Sequence, residues 1–86
     1  MSELIEFRTQ IDTIDQQIIE LLARRFEIVK QVGEYKKIHN ISPLQPSRWD
    51  EVLKNKIEVA QKYNIDPNCI IDIWNRIHEA ALEIEK

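Results

Sequence analysis

Two cationic residues lie inside the apolar stripe of a predicted helix. The stretch from Leu21 to Lys37 reads LLARRFEIVKQVGEYKK, and each residue of a helix advances by about 100°. On this helical wheel Lys36 lies only about 20° from Arg25. Several apolar residues lie within roughly 60° of Arg25, among them Ile18, Leu21, Ile28, Val29 and Val32. Burying an unpaired cation costs several kcal/mol, more than a small domain can spare, so the two side chains need anions.

The acidic residues of the same helix satisfy these cations poorly. Asp15 lies about 80° from Arg25 and reaches it only sideways, whereas Asp12 lies about 140° away. An anionic ligand held between helices is one explanation for Arg25 and Lys36, and Arg48 adds a third cation at the start of the next helix. The alternative is that these long side chains lie along the edge of the stripe with their charged groups in water.

A first helix is predicted from about Glu3 to Ile38, uninterrupted by proline. Its apolar face has a sustained period of 3.6 residues and consists of Leu4, Phe7, Ile11, Ile14, Ile18, Leu21, Leu22, Ile28, Val29 and Val32. Gly33 costs such a helix about 1 kcal/mol relative to alanine. It is either a tolerated helix glycine or the point of close approach by another backbone or a ligand.

Two further helices follow. The segment HNISPLQPS predicts a loop. The second helix then starts near Pro46 or Ser47 and carries Val52, Val59, Ala60 and Tyr63. Asp66 is a good N-cap and Pro67 suits the first position of a third helix, which runs to about Glu85. The apolar face of this third helix consists of Ile70, Ile73, Trp74, Ile77, Ala81 and Ile84.

The predicted fold is all-α, with a single domain over residues 1–86 and one long N-terminal helix. A helix of about 36 residues is about 54 Å long, more than a compact monomer of this size needs. Helices two and three are each about half as long and together could cover one side of it. The remaining apolar surface predicts a homodimer built around the long helices.

The composition excludes several classes of function. The net charge of −3 gives no electrostatic footprint for a nucleic acid, and no stretch approaches the length of a membrane span. No signal peptide opens the chain, so we expect a cytoplasmic protein. The single cysteine, Cys69, excludes an intramolecular disulfide and is predicted to be a buried, inert thiol.

No cofactor or metal is expected. The chain has no Gly-rich phosphate loop, no Cys/His metal spacing and no nucleophile motif. His39 and His78 lie far apart in the sequence and lack evident partners, which predicts ordinary surface or rim histidines.

The stretch RTQIDTIDQQIIELLARRFEIVKQVGEYK closely resembles the first helix of the all-helical chorismate mutases. The matching features are Arg8, the I-D-x-I-D segment from Ile11 to Asp15, LLARR and the G-x-x-K motif that ends at Lys36. The resemblance continues through the loop into PSRW and the third helix. It therefore covers almost the whole chain.

This resemblance implies an intertwined helical dimer that converts chorismate to prephenate in aromatic amino acid biosynthesis. Each of its two sites would be completed by the other subunit. By this analogy Arg25 and Arg8 of the partner subunit hold the two carboxylates of chorismate. Lys36 would donate to a carboxylate and to the ether oxygen of the breaking bond, and Glu85 corresponds to a position, often glutamine, that also donates to this oxygen. Arg48 corresponds to an arginine that lines the site.

Three positions depart from the commoner family pattern. Gln45 stands where an aspartate often begins the second helix near the ring hydroxyl, and Trp49 stands where a glutamate usually binds that hydroxyl. Ala81 occupies a position that is serine in some members. Trp49 could also serve only core packing beside Val52.

These departures leave other functions open. An isochorismate pyruvate-lyase or a 4-amino-4-deoxychorismate mutase would share the fold and the frame of Arg and Lys residues. A regulatory dimer could bind a metabolite of the same pathway without turning it over. A plain coiled-coil adaptor fits less well, because it would not place Arg25 and Lys36 on its seam.

Overall fold

The computed structural model describes residues 2–86. Within these residues the chain forms three helices and no strand: α1 (Ser2–Ile38), α2 (Pro46–Lys62) and α3 (Pro67–Glu85). The all-α prediction is confirmed, and the helix starts agree with the proline and capping signals of the sequence.

Local chemistry explains where the helices begin and end. The side chain of Asp66 caps α3 by accepting a hydrogen bond from the Asn68 amide at 3.0 Å. Two asparagines, Asn40 after α1 and Asn64 after α2, have φ angles of 55° and 56°, a left-handed conformation that asparagine tolerates better than most residues. Tyr63, predicted to belong to the second helix, instead follows its last residue and is exposed. That prediction was wrong because the helix stops one residue earlier.

Helix α3 packs against both other helices. It runs in the same direction as α1, because Ile73 and Ile77 line one cavity with Ile18 while the last residue of α3 meets Gly33. It runs opposite to α2. The small core contains three buried apolar residues, Ala60, Ile77 and Ala81.

The first half of α1 extends away from this core. The molecule is 57 Å long and only 24 Å by 15 Å across. Five apolar side chains near the start of α1 are 47% to 60% exposed: Leu4, Ile5, Phe7, Ile11 and Ile14. Within residues 2–86, helices α2 and α3 thus leave this part of the stripe open. The homodimer remains a prediction.

Cys69 is exposed, contrary to the prediction of a buried thiol. It is the third residue of α3 and lies about 100° around the helix from Ile70, which begins the packed face. None of the helices in the described part of the chain is both long and apolar enough to cross a bilayer.

Candidate active site

The three helices enclose a cavity of about 220 Å³ near the end of α1. Seven of the eight predicted site residues line it: Arg25, Lys36, Gln45, Arg48, Trp49, Ala81 and Glu85. The rest of its wall is formed by Val29, Val32, Pro43, Val52 and His78. The cavity thus joins charged groups from all three helices on a partly apolar surface.

Lys36 is fixed by two acceptors. Its Nζ donates to Oε1 of Glu85 at 2.6 Å and to the carbonyl oxygen of Pro43 at 2.7 Å. The side chain is only 16% exposed. An ammonium group carries three donors, so the third N–H of Lys36 remains for a molecule in the cavity.

The partner of Lys36 is an acid that the helical wheel of α1 does not contain. Glu85 lies 49 residues further along the chain, and its pairing with Lys36 depends on how α3 docks. The acids of α1 satisfy Lys36 poorly, as the helical wheel predicts, and an acid of α3 pairs with it instead.

Arg25 has no such partner. Its Nη1 atom is buried and has no hydrogen-bond acceptor among residues 2–86. A buried donor left unsatisfied costs about 1–3 kcal/mol, and more when it is charged. An acceptor from outside these residues, on a ligand, would remove that cost.

Gly33 allows α3 to approach α1 closely at Glu85. A Cβ atom on Gly33 would lie 2.8 Å from the Glu85 Cα atom and 3.2 Å from its carbonyl oxygen, closer than backbone atoms accept. Because Gly33 lacks that atom, the last turn of α3 settles on α1 and Glu85 is buried, with 7% of its surface exposed. Of the two interpretations of this glycine, close approach by another backbone is confirmed.

Two of the residues that line the cavity, Arg48 and Gln45, are exposed polar groups. Arg48 is exposed and its Nη1 donates to Oε1 of Glu51 at 2.6 Å, one turn along α2. Gln45 precedes α2 and donates from Nε2 to the carbonyl oxygen of Ser42 at 3.1 Å. Exposed pairs of this kind hold side chains weakly, so Arg48 can turn toward an anion.

Trp49 forms part of the wall rather than of a closed core. It is half-buried and stacks on His78, with ring centroids 3.9 Å apart and an angle of 9° between the planes. The prediction that His78 lacks a partner was wrong. The sequence spacing could have indicated that His78 belongs to the site. His78 precedes Ala81 by three residues and Glu85 by seven, which places all three on one face of α3.

Arg8 is the one predicted site residue outside the cavity. It is exposed and precedes Arg25 by about 26 Å along α1. Its predicted place in the site of a second subunit stays a prediction.

The sequence matches the family model described as Chorismate mutase type II over residues 7–86. The chain belongs to the chorismate mutase type II family. The resemblance seen in Arg8, LLARR and the G-x-x-K motif is thereby confirmed at the level of the family.

Known relatives of this family differ in length. The chain is 31% identical over 85 residues to a chorismate mutase of Methanocaldococcus jannaschii, a match that covers 96% of the chain and 86% of that protein. It is 32% identical over 77 residues to the T-protein of Enterobacter agglomerans, covering 90% of the chain and 21% of the relative. It is 27% identical over 78 residues to a 4-amino-4-deoxychorismate mutase of Streptomyces pristinaespiralis, a match that covers 91% of the chain and 60% of that protein. The chain spans about a fifth of the length of several curated relatives that it matches.

Proposed function

We propose that this chain is an isomerase that converts chorismate to prephenate, a step of aromatic amino acid biosynthesis. One observation carries the proposal: Arg25 lines a cavity together with Lys36 and Arg48, and its buried Nη1 has no acceptor among residues 2–86. Chorismate carries two carboxylates, and cationic side chains are the groups that bind them best. Membership of the chorismate mutase type II family supports chorismate as the dianion that the cavity binds.

The reaction itself needs little from the protein. It is a rearrangement within one molecule, in which the ether C–O bond breaks as a new C–C bond forms, so no atom enters or leaves. The enzyme has to hold the chair-like conformer and to stabilise the negative charge that grows on the ether oxygen. Arg25 binds a carboxylate, and the one N–H of Lys36 that Glu85 and Pro43 leave unused donates to the ether oxygen.

Glu85 has two states that act differently on this oxygen. As a carboxylate it accepts from Lys36, as their distance of 2.6 Å indicates, and it orients the ammonium group. Only the protonated acid can donate to the ether oxygen, because a carboxylate has no proton to give. We therefore assign donation to the ether oxygen to Lys36, oriented by the Glu85 carboxylate, and Glu85 donates as well only when it carries a proton.

The proposed enzyme is a homodimer in which Arg8 of the partner subunit binds the second carboxylate. The exposed apolar residues at the start of α1 support a second copy on this stripe. The distance of about 26 Å between Arg8 and Arg25 along one helix supports their acting in different sites. A cytoplasmic location goes with this proposal, as the single cysteine of the chain suggests.

Product identification tests the proposal. Purified protein is incubated separately with chorismate, isochorismate and 4-amino-4-deoxychorismate, and the products are separated and identified. We expect prephenate from chorismate. If only isochorismate reacts, giving pyruvate and salicylate, the protein is a lyase. If only the amino compound reacts, it is a 4-amino-4-deoxychorismate mutase. Binding of a substrate without turnover would indicate a regulatory module. A Lys36→Met protein purified in parallel controls for mutase from the expression host.

A further inference from the structure

The wall of the cavity contains a stacked pair of rings, those of Trp49 and His78. The two rings lie face to face, 3.9 Å apart and nearly parallel, and both side chains line the cavity. Stacking holds the plane of the imidazole ring, so its two nitrogen atoms stay in that plane beside the cavity. None of the side-chain hydrogen bonds within residues 2–86 uses either nitrogen.

A neutral imidazole suits a hydroxyl group. It carries one N–H donor and one nitrogen acceptor, and a hydroxyl likewise both donates and accepts. Trp49 stands where the family resemblance implies an acid that binds the ring hydroxyl, and an indole cannot replace a carboxylate as acceptor. We propose that His78, held against Trp49, recognises the ring hydroxyl of the substrate, and that the site selects this hydroxyl against an ammonium group. This inference rests on the proposed function.

The charges around the cavity explain the selection. Its lining contains three cations, Arg25, Lys36 and Arg48, and one carboxylate, Glu85, whose Oε1 is already 2.6 Å from Lys36 Nζ. Glu51 lies outside the lining and is paired with Arg48. An aliphatic amine is an ammonium ion at neutral pH, so an amino substituent would meet like charges without a free carboxylate. A hydroxyl avoids this repulsion.

The test compares three substrates: chorismate, its 4-deoxy analogue with hydrogen in place of the hydroxyl, and 4-amino-4-deoxychorismate. His78→Phe keeps a flat ring against Trp49 and removes the hydrogen-bonding atoms. We expect it to lower kcat/KM for chorismate about tenfold, as loss of one hydrogen bond does. It should leave kcat/KM for the 4-deoxy analogue within about threefold of the parent, because that substrate has no hydroxyl to lose. The parent should prefer chorismate to the amino substrate by about tenfold or more.

Two further variants complete the experiment. His39→Phe is the matched control. The ring of His39 also lies beside an aromatic ring, with its centroid 4.2 Å from that of Tyr35, but His39 does not line the cavity. It should behave as the parent. His78→Gln restores a donor and an acceptor, and should recover part of the loss on chorismate even if His78→Phe folds poorly.

The outcomes separate this inference from the function on which it rests. An active parent whose His78→Phe variant keeps full kcat/KM for chorismate, or loses equally on the 4-deoxy analogue, overturns the role of His78 and leaves the mutase activity standing. A parent that prefers the amino substrate overturns the selection. A parent inactive on both natural substrates overturns the proposed function and the inference with it.

Discussion

Lys36 is a positioned donor whose geometry predicts a large effect on turnover. Two of its N–H groups are held by Glu85 and Pro43, so the third points in a fixed direction. Removing a charged donor to a developing oxyanion costs on the order of a hundredfold or more in rate. We expect Lys36→Met to keep the helical circular dichroism spectrum and to lose kcat by that factor. The exposed neighbour supplies the control, Lys37→Met, which should retain activity, and a kcat of Lys36→Met within about threefold of the parent would remove Lys36 from the mechanism.

Glu85 is the second residue whose replacement tests donation to the ether oxygen. A glutamine at this position is a permanent donor of nearly the same shape, whereas an alanine has neither donor nor acceptor. If the position donates to the ether oxygen, Glu85→Gln should keep most of kcat and Glu85→Ala should lose on the order of a hundredfold. Steady-state kinetics of the two variants check this, and equal losses in both speak against donation by this position.

The sequence predicts some of these residues better than others. The spacing of Arg25 and Lys36 suffices to place both on one face of α1, because a helix has a fixed period. The pairing of Lys36 with Glu85 and the stack of Trp49 on His78 join different helices. Such contacts depend on docking geometry, which local periodicity does not contain.

At the scale of elements, the contact between α1 and α3 depends on Gly33. Alanine is the better helix former by about 1 kcal/mol, but its Cβ would lie 2.8 Å from the Cα atom of Glu85. Because the obstacle is backbone, the last turn of α3 has to shift and carry the Glu85 carboxyl group away from Lys36. We expect Gly33→Ala to lower kcat about tenfold or more.

Steady-state kinetics with a double mutant check this coupling. Gly33→Ala added to Glu85→Ala should cost little beyond Glu85→Ala alone, since both changes act on one group. The adjacent exposed position gives the control, Glu34→Ala, which should have normal kinetics. Additive losses in the double mutant would show that Gly33 does not act through Glu85.

The starts of the helices could be predicted from the sequence, because the residues that fix a helix start lie next to it in the chain. Pro46, Asp66 and Pro67 stand at the starts that the structure shows. The positions of two residues, Tyr63 and Cys69, were not predicted correctly. Tyr63 is exposed because α2 ends one residue before it, and Cys69 is exposed because it lies about 100° around α3 from Ile70 on the packed face.

At the scale of the whole molecule, the open stripe of α1 predicts an obligate dimer. Apolar side chains about half exposed along several turns of one helix are costly in water and most simply meet a second copy. Sedimentation equilibrium should give twice the mass of the chain. A folded, active monomer at micromolar concentration contradicts this prediction.

Sharing of sites between subunits has its own test. Homodimers of Arg8→Ala and of Arg25→Ala should both be nearly inactive, since each site then lacks one arginine. After subunit exchange, half of the sites in each heterodimer have both arginines, so a one-to-one mixture should recover up to about a quarter of the parent activity. Mass spectrometry of tagged subunits shows whether the subunits have exchanged. If they have and no activity is recovered, Arg8 lies outside the partner's site.

The most direct measurement is prephenate formation by the parent and by two variants of adjacent arginines. Arg25 has a buried donor without an acceptor among residues 2–86, whereas Arg24 beside it is exposed. Both variants, Arg25→Met and Arg24→Met, remove one positive charge from the same turn of α1. If Arg25 binds a carboxylate of chorismate, Arg25→Met loses on the order of a hundredfold in kcat/KM, and Arg24→Met stays within about threefold of the parent. A parent that forms no prephenate, or two variants with the same kcat/KM, would contradict the account.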